Sequence, residues 1–273
     1  MNLYDMHTHC DFSPDAYVPL YEMCEAAIGH DISAIAVTDH LDIYSALPFG
    51  MMYCHRDMYE YEAETVRAAI MAAKDKYKGR LDVLYGVELG QPHHNPVASS
   101  QFVGSHDFDV VIASIHCRHD GEDYFSVDYS ALDLDFTLDR YLDSTLDMVK
   151  WGDFDILAHM DYILRYTTLA GYPIDLKCYK EKTLKILKLM IEKNIALEIN
   201  TAGARYPTGV RPEVWVIKAY RELGGELLTI GTDSHMPSHF SLGVEQAFQM
   251  AVEAGFTKAV YFKKRKPYFY ALD

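Results

Sequence analysis

Six short apolar runs along the chain end on a histidine or an acidic residue. The runs are rich in valine, isoleucine and leucine, which is typical of strands buried on both faces of a parallel sheet or barrel. Because parallel strands of α/β folds end at one rim, we expect the polar residues that close these runs to be gathered there. The runs are residues 3–9 (LYDMHTH), 35–40 (IAVTDH), 83–88 (VLYGVE), 110–116 (VVIASIH), 156–159 (ILAH) and 227–235 (LLTIGTDSH).

Apolar residues recur with helical spacing between most of these runs, and further strand-like runs lie at residues 195–200 and 258–262. The alternation predicts about eight strands and six helices, wound into one barrel domain that spans residues 1–273. We expect the connections at residues 41–57 and 90–107 to be long loops, either substrate walls or ordinary surface loops. The predicted helices are residues 19–29, 57–78, 137–152, 176–193, 212–223 and 243–254.

The charge and the cysteines narrow the class of protein. With 25 basic and 40 acidic residues the formal charge is −15, which disfavours a nucleic acid or an anionic membrane as the main partner. Five cysteines, without a C-x-x-C pair, suit a reducing compartment. No apolar stretch is long enough to span a bilayer and the amino terminus is unlike a signal peptide, so we expect a cytoplasmic protein. The basic run at residues 263–266 is expected to be a solvated strand end.

The strand-end residues are the usual ligands of divalent metals. His7 and His9 are spaced by two and share one face of a strand, so they can chelate one ion together, and Asp233 and His235 repeat this spacing. The Glu88 carboxylate has two oxygens and can bridge two ions. The pattern predicts a metal-dependent hydrolase, with an amidohydrolase-type barrel and a non-catalytic metal-binding domain as alternatives. Histidines outside the strand ends are interpreted as surface or loop residues, namely His30, His55, His93, His94, His106 and His239.

In this order the motifs resemble the polymerase and histidinol phosphatase (PHP) family of metal-dependent phosphoesterases. They are His7-Thr8-His9, Thr38-Asp39-His40, Gly86-Val87-Glu88, Ser114-Ile115-His116, Ala158-His159 and Gly231-Thr232-Asp233-Ser234-His235. The resemblance implies an α/β fold, a distorted TIM-like (β/α)7 barrel, with two to three divalent ions (zinc, manganese or iron). Carried over by position, the first ion is held by His7, His9, Glu88 and Asp233, the second by Glu88, His116 and His159, and the third by His40, His235 and Asp15, where many relatives have a histidine.

Within the family the chain is most similar to the histidinol-phosphate phosphatases. The cues are residues 198–207 (EINTAGARYP) and Arg165, which follows His159. The likeness implies hydrolysis of L-histidinol phosphate in histidine biosynthesis, with Arg165 and Arg205 gripping the phosphate, as suits the bidentate guanidinium group. Arg118 and His119 are weaker candidates for the same pocket. The alternative is a PHP phosphoesterase that acts on another small phosphate ester or on nucleotides, and the sequence leaves the oligomeric state open.

The expected reaction is phosphomonoester hydrolysis by a hydroxide that bridges two ions about 3.5–4 Å apart. The candidate catalytic residues are Glu88, Asp233 and His235. Protonation of the leaving alkoxide is open between Asp161, His235 and a metal-bound water.

Overall fold

A computed structural model of the chain describes residues 3–54, 57–118 and 121–272, so His55 and His119 lie outside the described residues. The strands, in chain order, are β1 (Leu3–Thr8), β2 (Ile32–Val37), β3 (His40–Asp42), β4 (Met51–Cys54), β5 (Asp57–Glu60), β6 (Asp82–Gly90), β7 (Val110–Ser114), β8 (Ile156–Leu157), β9 (Ala196–Asn200), β10 (Leu228–Gly231), β11 (Lys258–Lys263) and β12 (Lys266–Ala271). The α-helices are α1 (Leu20–Gly29), α2 (Ala63–Lys76), α3 (Pro96–Ser105), α4 (Leu134–Trp151), α5 (Tyr162–Leu169), α6 (Lys180–Glu192), α7 (Val214–Glu222) and α8 (Val244–Glu253).

Seven parallel strands close into a barrel. Their order around it is β2, β1, β10, β9, β8, β7 and β6, and pairing of β6 with β2 closes the ring. The short strand β3 continues from β2 after a break and pairs with the upper part of β6, where His40 lies opposite Glu88. The predicted (β/α)7 barrel is therefore confirmed.

The barrel strands are buried on both faces, as their composition predicts. Small and branched side chains such as Ala34, Ala36 and Val110 fill the inside of the barrel. Alternate residues such as Ile35 and Val111 face outward and pack in the main core. This two-sided packing fixes the rim at which the strands end.

The eighth predicted strand, at residues 258–262, is wrong as a barrel strand. It forms β11, which pairs antiparallel with β12 through a two-residue turn at Lys264 and Arg265, both with positive φ. Val260 and Phe262 of this hairpin pack against the inside of the barrel. The basic run is correspondingly more than a solvated strand end, because Lys263 pairs with Asp82 (2.8 Å) and Arg265 with Asp155 (3.1 Å) at the amino-terminal ends of β6 and β8.

The helix prediction needs three corrections, which raise the number of helices in the described chain from six to eight. The helix predicted from residue 57 begins at Ala63, because residues 57–60 pair with residues 51–54 in a hairpin instead. The predicted loop at 90–107 contains α3, whose start is capped by the Asn95 side chain (3.3 Å to the Ala98 amide). Only Ser99 and Val103 of α3 are buried, so no apolar period marked it. The eight-residue helix α5 was too short to show a period.

None of the helices in the described ranges is long and apolar enough to cross a membrane. The helices that flank the barrel are amphipathic, with their buried residues on one side. In α4, for example, Leu138, Leu142, Leu146 and Val149 are buried at helical spacing.

Candidate metal centre

The polar residues that end the barrel strands lie at one rim. His7 lies near the end of β1 with His9 just beyond it, and Glu88 lies near the end of β6. His116, His159 and Asp233 follow β7, β8 and β10. All six of these residues are buried. The structure therefore brings the predicted ligands together at the carboxyl ends of the strands.

Four side chains surround one point beside β1. The Glu88 Oε2 atom lies 3.2 Å from His7 Nε2 and 3.5 Å from His9 Nε2. The Asp233 Oδ1 atom lies 3.4 Å from His9 Nε2 and 3.9 Å from His7 Nε2. Ligands held tetrahedrally at about 2.1 Å from an ion are about 3.4 Å apart, so these four atoms have the spacing that an ion requires.

The second oxygen of Glu88 faces a different pair of histidines. Glu88 Oε1 lies 3.1 Å from His116 Nε2 and 3.0 Å from His159 Nε2. One carboxylate thus divides its oxygens between two groups of imidazoles. This is the arrangement that a bridging ligand of two ions needs.

Asp15 reaches the third group from a loop. Its Oδ2 atom lies 3.1 Å from His235 Nε2 and 3.5 Å from His40 Nε2, and His40 Nδ1 lies 2.9 Å from Glu88 Oε2. Although Asp15 does not end a strand, the structure places it with the two histidines with which it was grouped.

Several atoms of the cluster are incompletely satisfied by the protein alone. Among the described residues, His9 Nε2 and Asp15 Oδ1 are buried without a hydrogen-bond partner. The His9 ring stacks on those of His40 (4.3 Å) and His235 (4.2 Å), and charge on these two neighbours disfavours charge on His9. Burial, and then the neighbouring His235 and His40, hold the pKa of His9 well below its usual value. A neutral imidazole whose Nε2 atom has no hydrogen-bond partner is a ready metal ligand.

The carboxylates of the cluster remain ionised although they are buried. Burial opposes this, but the surrounding histidines outweigh it and hold the pKa values of Glu88 and Asp233 well below their usual range. Burial likewise opposes charge on His7, yet Glu198, Glu88 and Asp233 raise its pKa well above the usual value. Without divalent ions, protons on the imidazoles balance the carboxylates. The donor set therefore fits cations.

The PHP domain family model matches residues 5–202, which is well over half of the chain. This protein belongs to the PHP family. The match to the family model stops before β10. Asp233 and His235, which follow β10, nevertheless lie in the same cluster as the matched ligand residues.

Curated relatives of this PHP protein extend over nearly its whole length. It is 29% identical to a histidinol-phosphatase of Lactococcus lactis, over 97% of this chain and 96% of that protein. It is 28% identical to a probable histidinol-phosphatase of Thermotoga maritima, over 90% of this chain and 89% of that protein.

Two solved structures match this chain over most of its length. The histidinol phosphate phosphatase of Lactococcus lactis, solved in complex with zinc, L-histidinol and phosphate, matches with a TM-score of 0.82 at 25% identity over 98% of this chain and 99% of that one. A putative histidinol phosphatase of Listeria monocytogenes matches in fold, with a TM-score of 0.75 at 20% identity over 89% of this chain and 99% of that one.

Two arginines lie at the rim of the PHP barrel. Arg165, on α5, is buried, donates from Nη2 to Asn200 Oδ1 (3.4 Å) and has its guanidinium group 5.7 Å from the centre of the Tyr162 ring. Arg205 donates from Nη2 to the carbonyls of Thr232 (3.0 Å) and Asp233 (2.5 Å). The negative charge of Asp233 favours the charged form of both guanidinium groups. They therefore lie beside the cluster of strand-end histidines and carboxylates.

Arg118 and Asp161 are engaged with other residues. Arg118 follows His116 in a turn and pairs with Glu122 (3.1 Å). Asp161 is buried, with Arg211 Nη1 at 3.7 Å, and burial, opposed by Arg211 and Arg165, raises its pKa. Neither contact reaches the strand-end histidines.

Sequence reasoning missed two carboxylates behind the ligands. Glu198 Oε1 lies 2.7 Å from His7 Nδ1, and Asp42 Oδ1 lies 3.0 Å from His116 Nδ1. In addition, the Ser13 hydroxyl lies 3.0 Å from His9 Nδ1. The available signal was an acidic residue inside a buried run, at Glu198 in β9, because an unpaired charge is rarely buried.

His239 was interpreted as a surface or loop residue, but it lies partly buried at the edge of the cluster. Its Nδ1 atom is 3.3 Å from the His235 amide. Burial, and then the charges of Arg205 and His235, lower its pKa to about 4. Its side chain is therefore neutral near pH 7 and adds no charge to the rim.

Proposed function

We propose that this protein is a histidinol-phosphatase, which hydrolyses L-histidinol phosphate to L-histidinol and phosphate with the help of bound divalent ions. One observation carries the proposal: a relative of the same family and fold, similar over nearly the entire chain, was solved with zinc, L-histidinol and phosphate. The convergence of histidines and carboxylates at the barrel rim supports it, because such groups can hold divalent ions, which promote the hydrolysis of phosphate esters.

Three groups of residues are the proposed ligands, and they are those inferred from the sequence. His7, His9, Glu88 and Asp233 form the first group, Glu88, His116 and His159 the second, and Asp15, His40 and His235 the third. A ligand set of imidazoles and carboxylates suits zinc, manganese or iron. We propose two to three ions and extend the domain over the whole chain, because Asp233 and His235 complete the first and third groups.

Divalent ions held by these residues would lower the pKa of a water molecule and offset the negative charge of a phosphate group. The residues of the chain do the rest. Glu88 keeps the first two ligand groups together by dividing its oxygens between them. Arg165 and Arg205 bind the non-bridging phosphate oxygens and stabilise the charge of the transition state. The Arg205 bonds to the carbonyls of Thr232 and Asp233 use Nη2, and they tie this arginine to the loop that carries two ligands.

The surroundings of Arg165 favour a small phosphate ester. Tyr162 and Tyr166 flank its guanidinium group, at 5.7 and 5.9 Å from the ring centres, and limit the water beside it. The net charge of −15 disfavours nucleic acid as a substrate. Among the described residues no two cysteines are joined by a disulfide, which suits the proposed cytoplasmic location.

The proposal is tested with a panel of phosphate monoesters that includes L-histidinol phosphate, sugar phosphates and nucleoside monophosphates. We expect kcat/KM for L-histidinol phosphate to exceed that for every other ester by at least about tenfold, which corresponds to about 1.4 kcal/mol of transition-state binding. Metal content is measured on the same sample. A preparation that carries its metals and prefers another ester would refute the proposed substrate while leaving the phosphoesterase activity intact.

A further inference from the structure

The Glu198 carboxylate is buried inside the barrel, beneath the proposed metal ligands. It has no solvent exposure, and its two oxygens accept three hydrogen bonds. Oε1 accepts from His7 Nδ1 (2.7 Å), while Oε2 accepts from the His159 backbone amide (2.8 Å) and from Asn200 Nδ2 (3.0 Å). One side chain thus contacts a residue of the first ligand group and a residue of the second.

A glycine makes room for this contact. Strand β10 lies between β1, which carries His7, and β9, which carries Glu198. A Cβ atom on Gly231 of β10 would overlap Glu198 Oε1 and come within 2.6 Å of His7 Cβ. The same device recurs at the second ligand group, where a Cβ on Gly90 of β6 would overlap Asp42 Oδ1, the acceptor beside His116. Each carboxylate therefore reaches a ligand histidine across a glycine of the intervening strand.

We propose that Glu198 is a positioning residue for the metal centre. Because a carboxylate only accepts hydrogen bonds, its contact places a His7 proton on Nδ1 and leaves Nε2, which faces Glu88 and Asp233, to bind the ion proposed for the first group. The bond to the His159 amide holds that residue in its left-handed conformation (φ 23°), from which its Nε2 reaches Glu88. The inference rests on the proposed ligand roles of His7 and His159, and it is independent of which phosphate ester is cleaved.

Glu198 also connects the metal centre to the proposed phosphate-binding group. Asn200 donates to Glu198 through Nδ2 and accepts from Arg165 Nη2 through Oδ1. The orientation of the Asn200 amide is therefore fixed by Glu198 on one side and by Arg165 on the other. A change at Glu198 is expected to reach Arg165 through this amide.

The test is Glu198→Gln, which keeps the shape but replaces one acceptor oxygen by a donor. With its remaining oxygen towards His7, the new amide group faces the His159 and Asn200 donors. With the amide group towards His7, the imidazole must move its proton to Nε2, where it cannot bind metal. Either orientation disrupts one ligand, so we expect the zinc dissociation constant, measured by chelator competition, to rise about 10- to 100-fold.

Asp155→Asn is the matched control. Asp155 is also a buried acid that accepts from a backbone amide (Val111, 2.8 Å), but it lies at the amino-terminal end of β8 and contacts no proposed ligand. We expect this variant to lose stability and to bind zinc as the wild type does. The inference would be overturned if the Glu198→Gln protein bound zinc as tightly as the wild type while its melting temperature was no lower than that of Asp155→Asn.

A measurement on the zinc-loaded wild type covers the case in which Glu198→Gln fails to fold. Long-range ¹H–¹⁵N spectra of its histidines are expected to place the His7 proton on Nδ1, and a proton on Nε2 would overturn the inference. Failure of the wild type to bind zinc would overturn the ligand roles themselves. Tight zinc binding without hydrolysis of L-histidinol phosphate would refute the proposed substrate and leave the role of Glu198 standing.

Discussion

The two ends of the barrel both bury acidic side chains, but different groups neutralise them. At the amino-terminal end, Asp109 lies 2.9 Å from Lys74, and Asp155 lies 3.1 Å from Arg265 of the β11–β12 hairpin. At the carboxyl-terminal end, Glu88 and Asp233 face imidazoles. Lysine and arginine keep their charge at any physiological pH. An imidazolium loses its proton, and with it its charge, when the pH rises or when the imidazole binds a metal ion.

The kind of group that neutralises the buried acids distinguishes the amino-terminal end of the barrel, which is structural, from the carboxyl-terminal end, which carries the proposed site. The cations at the amino-terminal end belong to the chain, so that end is complete when the protein has folded. At the other end the neutral His9 and the partnerless Asp15 Oδ1 leave positions for cations from solution.

Glu88→Gln is expected to have the largest effect, because Glu88 is a proposed ligand in both the first and the second group. Loss of one anionic oxygen separates the two groups, and kcat should fall by about 10³-fold or more, with less metal bound. Steady-state kinetics and metal analysis of the same preparation check this. Wild-type turnover with a full set of ions would show that Glu88 is not the bridge.

Arg165→Ala should lower kcat/KM by about 10²-fold, since a buried guanidinium group that stabilises a phosphate transition state is lost. Arg165→Lys keeps the charge but not the paired donors and should recover only part of the loss. Arg118→Ala is the comparison variant. Its partner Glu122 already neutralises part of its charge, so we expect less than about a tenfold effect. Equal losses for Arg118 and Arg165 would contradict this assignment.

Asp155→Asn should break the opposite end without touching the site. It leaves the Val111 amide or the Arg265 guanidinium group without its anionic acceptor, which costs about 2 kcal/mol of unfolding free energy. Asp153→Asn, which affects the more exposed pair of Arg265, should cost less than about 1 kcal/mol. Urea denaturation measures both, and kcat should remain that of the wild type. Lost activity in the folded Asp155→Asn protein would mean that the two ends are coupled.

The pH dependence of the metal-free protein should be the smallest effect. Burial opposes charge on His116, but Asp42 and Glu88 outweigh it and raise its pKa from 6.5 to about 10. A raised folded pKa contributes stability that is present below the unfolded value of about 6.5 and is lost as the pH rises towards 10. Bound ions compete with these protons, so metal affinity should instead increase with pH.

Thermal melting at pH 6.5 and pH 9 checks this dependence. We expect Tm of the chelator-treated protein to fall over this interval, because the stabilising charge on His116 is progressively lost. The metal-loaded protein should show a smaller fall or a rise. If the two forms changed in parallel, the imidazoles of the rim would not be the groups responsible.

The strand-end pattern predicted the rim because it is a property of single strands. Composition identified the buried runs, and parallel pairing places their last residues together whatever the intervening helices are. The prediction that residues 258–262 form a barrel strand was wrong for the same reason. Their composition matches that of a barrel strand, and a single run does not reveal the direction of its partner strand. Only the two-residue turn before β12 makes the pair antiparallel.

Glu198 could not have been assigned in this way. Its contact with His7 joins residues 191 positions apart, across Gly231 of a strand between them. Such a contact depends on the order of strands around the barrel, which sequence periodicity does not encode. Asp15 was placed with His40 and His235 by resemblance rather than by pattern, since it lies in a loop.

The most direct test of the contrast between the two ends is a zinc titration of the chelator-treated protein, with bound zinc and phosphate release from L-histidinol phosphate followed together. Activity should be absent without metal and should rise in step with the two to three ions bound. Hydrolysis at the full rate by metal-free protein would contradict the claim that the rim is completed by cations from solution.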